Sequence, residues 1–140
     1  MDEGAKKVMI IEDDRFLSSL LKARLEKESF TVLQAFDGEE ALRLLKTEVP
    51  TLVILDLIMP KVNGFEVLEQ VRADENLKMI PVVVLTSSHE ERDLVKGYKL
   101  GVNAYVVKPV DFHQFVNAIK ELGVFWAVIN EPPPGSVKKR

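Results

Sequence analysis

The chain has 140 residues, of which 46% are hydrophobic and 29% charged, and its formal net charge is −3. This length and composition favour one folded domain with its own core and exclude an intrinsically disordered chain. The small negative charge argues against binding nucleic acid by bulk electrostatic attraction. The apolar runs are too short to cross a bilayer. Because cysteine is absent, disulfides and thiolate metal sites are excluded, which fits a cytoplasmic protein.

Five short runs of β-type residues alternate with helical patterns along the chain. Four runs are almost continuously apolar, which is typical of parallel strands buried on both faces, while the second is more mixed and is expected nearer an edge. Repeated βα units predict an α/β fold, with right-handed crossovers and helices on both faces of a parallel sheet. The five runs are VMII (8–11), TVLQA (31–35), TLVIL (51–55), VVVLT (82–86) and AYVV (104–107).

Amphipathic stripes between and after these strands are interpreted as core. An acidic or hydroxyl residue followed three positions later by Glu or Gln is typical of a helix N-cap, and such pairs occur at 37–40, 88–91 and 111–114. We also expect Asp14 to cap the first helix. The stripes are Leu17, Leu20, Leu21 and Leu25, then Phe65, Leu68 and Val71, then Phe112, Phe115, Val116 and Ile119.

Residues with useful chemistry stand where the predicted strands end. Glu12 and Asp13 follow the first strand, Asp56 follows the third, Thr86 ends the fourth, and Lys108 follows the fifth. In open parallel sheets, ligands bind outside the carboxyl ends of the strands, so we expect these side chains to gather at one edge. Each has an ordinary explanation alone: Asp56 as a turn or cap residue, and Thr86 as a β-branched strand residue.

The predicted cluster carries too much negative charge for its one lysine. Two carboxylates about 4 Å apart repel by roughly 4 kcal/mol at an effective dielectric constant near 20. Three carboxylates beside Lys108 therefore predict a divalent cation, and an all-oxygen ligand set favours Mg²⁺ or Mn²⁺. A histidine metal site is not expected, because His89 and His113 stand far apart in the sequence.

An aspartate beside a divalent cation and a lysine is also the arrangement of a phosphoryl acceptor. The carboxylate of Asp56 can act as a nucleophile and form an acyl phosphate. The cation and Lys108 then neutralise charge on the transferring oxygens. Thr86, one strand over, could donate a hydrogen bond to a phosphoryl oxygen.

These motifs resemble the receiver domains of two-component response regulators over about residues 7–122. The resemblance rests on Glu12-Asp13, on LDLIMPKVNG (55–64), on Thr86 and on YVVKP (105–109). It implies a flavodoxin-like receiver fold, a doubly wound five-stranded parallel sheet in order 2-1-3-4-5 with five helices. It also implies Mg²⁺-dependent phosphorylation by a histidine kinase or a phosphotransfer protein.

The resemblance assigns roles at the acidic end of the sheet. Asp56 would be the phosphoacceptor. Asp13 and Asp56 would ligate Mg²⁺ directly, together with the backbone carbonyl of Ile58, and Glu12 would act mainly through water. Mn²⁺ is the alternative cation for the same oxygen ligands.

Further roles fall on residues of the fourth and fifth strands and on two turns. Lys108 and Thr86 would contact the phosphoryl group, while Thr86 and Tyr105 would form a switch pair that changes a partner-binding face. Pro109 would follow a cis peptide bond. Gly64, before the third helix, is expected to provide a turn with positive φ.

The chain continues after the last predicted helix as GVFWAVINEPPPGSVKKR (123–140). Its apolar residues around Phe125 and Trp126 either extend that helix and pack on the body, or form a surface for a partner or a second copy. A homodimer through the fourth and fifth helices is another option. The FW…PP ending resembles the tails of stand-alone regulators that serve phytochrome-type histidine kinases, whereas EPPPGS resembles a linker within a longer regulator. The expected division is an N-terminal extension (1–6), a receiver (7–122) and a tail (123–140).

The leading interpretation is a signalling switch with intrinsic self-phosphorylation and autodephosphorylation only, and its downstream target is not specified. An aspartyl-nucleophile phosphatase commonly has a carboxylate two residues after its nucleophile, where this chain has Ile58, and it also needs a substrate-covering cap. A flavodoxin-like cofactor binder needs a phosphate loop rich in Ser, Thr and Gly, whereas this chain has the acidic EDDRF (12–16).

A receiver that docks or dimerises without phosphorylation is the other alternative, and it is disfavoured because every expected active-site residue is present.

Overall fold

The computed structural model describes residues 6–59, 62–86 and 100–130, the last eight of them as backbone. The predicted cap at 88–91 and the EPPPGS segment lie outside these residues. The chain divides into two compact units, Met1–Pro109 and Val110–Arg140. The division into extension, receiver and tail stays a prediction.

The first unit contains one sheet of five parallel strands in the order β2-β1-β3-β4-β5. This confirms the predicted fold class and places the mixed second strand at an edge. The apolar runs located each strand to within two residues at either end. The strands are β1 (Lys6–Ile11), β2 (Phe30–Ala35), β3 (Leu52–Asp56), β4 (Val82–Thr86) and β5 (Ala104–Val107).

Both faces of the central strands are buried, as continuous apolar runs predict. Alternate residues such as Met9, Val53 and Val84 share one cluster with apolar residues of the second and third helices. The residues between them, such as Ile10 and Ile54, are fully buried and project from the opposite face, since successive strand side chains alternate.

Four helices lie within the described residues. Each is preceded by an Asp or Asn whose side-chain oxygen accepts a hydrogen bond from a backbone N–H of the first turn. The caps predicted at Asp14, Asp37 and Asp111 accept from backbone N–H groups three residues later at 3.0, 2.8 and 3.1 Å. A reciprocal capping box forms instead at Asn63 and Glu66, which the sequence analysis did not identify. The helices are α1 (Arg15–Lys27), α2 (Gly38–Leu45), α3 (Gly64–Ala73) and α4 (Phe112–Asn130).

Arg72, near the end of α3, ties together segments that precede two strands. Its guanidinium donates to the carbonyls of Ile80 (2.7 Å) and Lys78 (3.0 Å) before β4. It also donates to those of Leu100 (2.6 Å) and Gly101 (2.7 Å) before β5. A single planar cation therefore satisfies four backbone acceptors at the amino end of the sheet.

The second unit contains α4, in which Phe115 and Ile119 are buried. These residues belong to the predicted helical stripe. The helix runs on to Asn130, which confirms that the segment after residue 122 extends it. The side chains of Phe125 and Trp126 lie outside the described ones, so the choice between packing and a partner surface stays open. Across the part of the chain that the structure describes, no helix combines the length and apolar character that a bilayer span requires.

Candidate functional site

Parallel pairing brings the acidic residues together at the carboxyl end of the sheet. Ile11 pairs with Leu55, so the next residues, Glu12 and Asp56, stand side by side. Carboxylate oxygens of Glu12, Asp13 and Asp56 lie within 4.8 Å of one another. Glu12 is 0% exposed and Asp56 3% exposed, whereas Asp13 faces solvent. The predicted gathering of carboxylates at strand ends is therefore confirmed.

Lys108 bridges the two buried carboxylates. Its Nζ lies 3.1 Å from Oε1 of Glu12 and 3.1 Å from Oδ2 of Asp56. Its backbone N–H donates to the carbonyl of Thr86 at 2.7 Å, which fixes the point where the chain leaves β5. The Lys108–Pro109 peptide bond is cis, as the resemblance implied.

Each buried carboxylate also accepts from one backbone N–H of the following loop. The N–H of Asp14 donates to Oε2 of Glu12 at 3.0 Å, and that of Ile58 to Oδ1 of Asp56 at 3.2 Å. Oε1 of Glu12 makes its ion pair but no hydrogen bond of regular geometry among the described residues. Three carboxylates thus face one ammonium and two amide dipoles, so the cluster remains short of positive charge.

Burial and mutual repulsion shift the ionisation of this cluster. The pKa of Glu12 is raised to about 7, chiefly by burial and also by the charge of Asp56, although the Asp14 N–H and the charge of Lys108 act in the opposite direction. Burial also raises the pKa of Asp56, although its contacts with Lys108 oppose this. Burial alone would lower the pKa of Lys108, but the two carboxylates outweigh it and raise that pKa. Lys108 therefore stays charged, while the carboxylate pair favours a proton or a cation.

Thr86 holds a buried hydroxyl next to this cluster. Thr86 is 1% exposed, and its Oγ1 has no hydrogen-bond partner among the residues that the structure describes. A buried hydroxyl without a partner costs about 1–3 kcal/mol. Thr86 follows Leu85, which pairs with Asp56. A phosphoryl oxygen bound at Asp56 would therefore have the Thr86 hydroxyl close by as a donor. Tyr105 is half-buried on the neighbouring strand, where it pairs with Val84.

Gly64 serves this site in a different way from the one expected. It does not adopt positive φ; among the described residues, positive φ occurs at Gly101 (70°) and Ser29 (73°). A Cβ on Gly64 would lie 2.4 Å from the carbonyl oxygen of Asp56 and 2.5 Å from Cα of Leu57. The prediction of a positive-φ turn was wrong, because glycine is needed here for close approach of α3 to the backbone of β3.

The donor set fits Mg²⁺. Glu12, Asp13 and Asp56 supply hard oxygen ligands, and the buried pair of carboxylates is incompletely neutralised by Lys108. Mg²⁺ is bound through a few carboxylates and otherwise keeps waters, which suits a site with one exposed and two buried acids.

This arrangement agrees with the family to which the sequence is similar. Residues 8–120 match the profile of the family described as "Response regulator receiver domain". The chain belongs to this family. Receiver domains are phosphoacceptor switches rather than turnover enzymes; they bind Mg²⁺ in an acidic pocket and interact with histidine kinases or phosphotransfer proteins.

Similar solved structures include two from bacteriophytochrome signalling. The bacteriophytochrome response regulator RtBRR is 51% identical, with a TM-score of 0.78 over 96% of this chain and 88% of that one. AtBRR, of the same description, is 47% identical, with a TM-score of 0.75 over 91% and 99% of the two chains. The phosphorylated cyanobacterial phytochrome response regulator RcpA is 34% identical, with a TM-score of 0.73 over 87% and 94%.

Curated relatives include longer regulators. The alkaline phosphatase synthesis regulator PhoP of Bacillus subtilis is 40% identical over 104 residues, which are 74% of this chain but 42% of PhoP. The probable methanogenesis regulator FilR2 of Methanothrix harundinacea is 35% identical over 134 residues, or 90% of this chain and 86% of the relative. This receiver therefore spans less than half the length of PhoP.

Proposed function

We propose that Asp56 accepts a phosphoryl group from a histidine kinase or a phosphotransfer protein in a Mg²⁺-dependent reaction. The bound phosphoryl group would then alter a partner-binding face through Thr86 and Tyr105. The observation that carries this proposal is Lys108, whose ammonium lies 3.1 Å from both buried carboxylates, beside the unpartnered hydroxyl of Thr86.

Four groups of this chain would hold the cation. Asp13 and Asp56 would ligate it directly, with the backbone carbonyl of Ile58, and Glu12 would act through water. Mn²⁺ would substitute in the same oxygen site. When bound, the cation supplies positive charge to the oxygens of the transferring phosphoryl group. The raised pKa of Glu12 supports this role, because burial and the charge of Asp56 together outweigh the positive charge of Lys108.

The transfer uses Asp56 as the nucleophile. A carboxylate oxygen of Asp56 attacks phosphorus, and the P–N bond to the donor imidazole breaks, leaving its electron pair on that nitrogen. Lys108 neutralises charge on the oxygens, since its raised pKa keeps the ammonium protonated. The Thr86 hydroxyl donates to one phosphoryl oxygen and so gains the partner it lacks.

The acyl phosphate would act as a switch by shifting an equilibrium between two packings. It adds about two negative charges and three strong acceptor oxygens. As Thr86 moves toward one of these oxygens, it vacates space into which Tyr105 can turn. Moving a population from 1:99 to 99:1 requires about 5.5 kcal/mol of differential stabilisation, so several contacts must act together.

The proposed kinase is of the bacteriophytochrome class. Support comes from the two bacteriophytochrome response regulators that are 51% and 47% identical over most of this chain. The FW…PP ending of the sequence points the same way. Phosphotransfer would occur in the cytoplasm, which the absence of cysteine fits. A homodimer stays a prediction, either through the Phe125-Trp126 segment or through the predicted fourth and fifth helices, of which the fourth lies outside the described residues and the fifth is α4.

The test is to incubate the protein with acetyl phosphate and Mg²⁺ and to measure its intact mass. We expect the gain of one phosphoryl group, no gain with a chelator, and no gain in Asp56→Asn. Loss of the added mass after donor removal would measure intrinsic autodephosphorylation. A wild-type protein that binds Mg²⁺ yet gains no mass would support the alternative of a docking module without phosphorylation.

A further inference from the structure

The first residue of α2 lies directly against the loop that follows the phosphoacceptor strand. A Cβ built on Gly38 would stand 2.0 Å from the carbonyl oxygen of Val62 and 2.9 Å from its Cβ. No side chain can occupy that space, so the two backbones meet there without an intervening group. Val62 also packs against the buried core cluster, and this contact anchors its part of the loop.

The same loop presents backbone groups to the site. Leu57 is 0% exposed and Met59 7% exposed, whereas Ile58 between them is 59% exposed. The two inward residues orient the peptide groups of Ile58, whose N–H donates to Oδ1 of Asp56 at 3.2 Å. Its carbonyl is a proposed metal ligand. A shift of the loop therefore moves a hydrogen bond to the nucleophile and a metal ligand together.

The turn before α2 is braced by hydrogen bonds of its own. The N–H of Glu40 donates to Oδ1 of Asp37 at 2.8 Å, and its carboxylate accepts from the N–H of Phe36 at 2.8 Å. The N–H of Ala41 donates to the carbonyl of Asp37 at 3.0 Å. A methyl group added at Gly38 must open the contact by about 1.4 Å or more to reach ordinary van der Waals separation. Val62 stands two residues before Gly64, whose N–H donates to the carbonyl of Leu57 at 3.0 Å, so a displacement of Val62 is passed to the residue before Ile58.

We infer that Gly38 is a positioning residue for phosphorylation, acting through Val62 on the loop that carries Ile58. This inference rests on the proposed function. It adds a residue from the turn between β2 and α2, whereas Asp56 and Ile58 belong to the end of β3 and the loop after it. The close contact between Gly38 and Val62 sets how near the loop after β3 approaches α2. Displacements of about 1 Å at a reaction site can lower rates by as much as a hundredfold.

The experiment compares Gly38→Ala with Gly101→Ala as a matched control. Gly101 has φ +70°, so an alanine there strains the backbone, but among the described residues its Cβ would meet only the Arg72 side chain, at 3.6 Å. Both variants thus add one methyl group at some cost in stability, and only the first presses on the loop. For each protein we would measure the Mg²⁺ Kd by calorimetry, the rate of phosphorylation by acetyl phosphate, and the urea midpoint in chelator.

We expect Gly38→Ala to raise the Mg²⁺ Kd and lower the phosphorylation rate each by about tenfold or more, at temperatures where it is fully folded. Gly101→Ala should keep both values within about twofold of wild type, as expected for a site that it does not touch. Equal Kd and rate in the two variants, with only the urea midpoints lowered, would overturn the inference. Absence of Mg²⁺ binding or phosphorylation in the wild-type protein would instead overturn the proposed function.

Val62→Gly tests the same contact from the loop and adds no clash. It removes the side chain that packs on the core and gives the loop more backbone freedom. We expect a loss of Mg²⁺ affinity in the same direction as in Gly38→Ala but smaller. An unchanged Kd in Val62→Gly would count against the inference, even if Gly38→Ala proves too unstable to measure.

Discussion

The two ends of the sheet handle buried charge in opposite ways. At the amino end, the guanidinium of Arg72 donates to four carbonyls, and the ion pair of Lys7 with Glu48 is exposed and balanced. At the carboxyl end, Lys108 faces two buried carboxylates and a third, exposed one. The amino end is satisfied by the chain itself, whereas the carboxyl end remains short of positive charge among the described residues.

This difference separates residues that stabilise the fold from residues that are candidates for ligand binding. Arg72 has partners for its donors from within the chain, so its contribution should not depend on solution conditions. Among the described residues, Oε1 of Glu12 and Oγ1 of Thr86 have no regular hydrogen bond, and Asp56 shares the ammonium of Lys108 with Glu12. The contribution of these three residues should therefore vary with pH, cation and phosphorylation. Native proteins often break local rules at functional sites and compensate elsewhere.

The largest effect on stability is expected at the amino end. Arg72→Leu would leave four carbonyls without their donor and should lower the free energy of unfolding by about 2–4 kcal/mol. Urea denaturation with and without Mg²⁺ would measure it, and the loss should be the same in both. Arg72→Lys, which retains the charge but not the planar fork, should lose part of that stability. A loss that disappears with Mg²⁺ would break the distinction between the two ends.

At the carboxyl end, stability in a chelator should fall as pH rises. The pKa of Glu12 is about 7 in the folded protein, above its ordinary value of 4.5, so the folded state binds the proton more tightly. The resulting stability is fully present below about pH 4.5 and is lost as pH rises through about 7, by an amount on the order of 2 kcal/mol. Thermal unfolding between pH 5 and 8 would show this. Glu12→Gln should flatten the profile relative to wild type, and equal slopes would refute the assignment.

A smaller effect, an increase in the free energy of unfolding, is expected when the negative charge of Asp56 is removed. Asp56→Asn leaves Lys108 paired with one buried carboxylate, Glu12, and should raise the free energy of unfolding in chelator by about 1 kcal/mol. The comparison is the thermal midpoint of variant and wild type without metal. Added Mg²⁺ should stabilise wild type more than the variant. A midpoint below wild type in chelator would mean that the repulsion is already relieved.

The smallest effect is expected for the exposed pair at the amino end. Lys7 and Glu48 are 3.1 Å apart, and both side chains are well exposed. Such pairs contribute only about 0.2–1 kcal/mol, so Lys7→Ala should change the urea midpoint very little. A double-mutant cycle with Glu48→Ala would isolate the coupling. A coupling above about 1 kcal/mol would show that this end, too, stores electrostatic energy.

Sequence reasoning located the strands well because their signal is local. Runs such as VVVLT are continuous in apolar residues, and a parallel sheet buried on both faces requires that pattern. The site followed from the same logic, since parallel strands bring their carboxyl ends to one edge. The strand order and the cis peptide bond at Pro109 came from resemblance to a family rather than from physical reasoning.

The missed features depend on contacts between distant segments or on ambiguous residues. Arg72 reaches carbonyls 28 and 29 positions away, and nothing near it in the sequence announces them. Glycine permits either positive φ or close approach, so the sequence could not separate the two at Gly64. The capping box from Asn63 to Glu66 was detectable, because Asn three residues before Glu is a known start signal.

The order β2-β1-β3-β4-β5 places Lys108 after an edge strand and the two buried carboxylates after central strands. An edge strand has one neighbour instead of two, so local opening breaks fewer backbone hydrogen bonds at β5 than at β1 or β3. Opening of β5 would carry Lys108 away from Glu12 and Asp56 together, since its Nζ lies 3.1 Å from an oxygen of each. The charge balance at the acidic end of the sheet therefore depends on a strand that is paired on one side only.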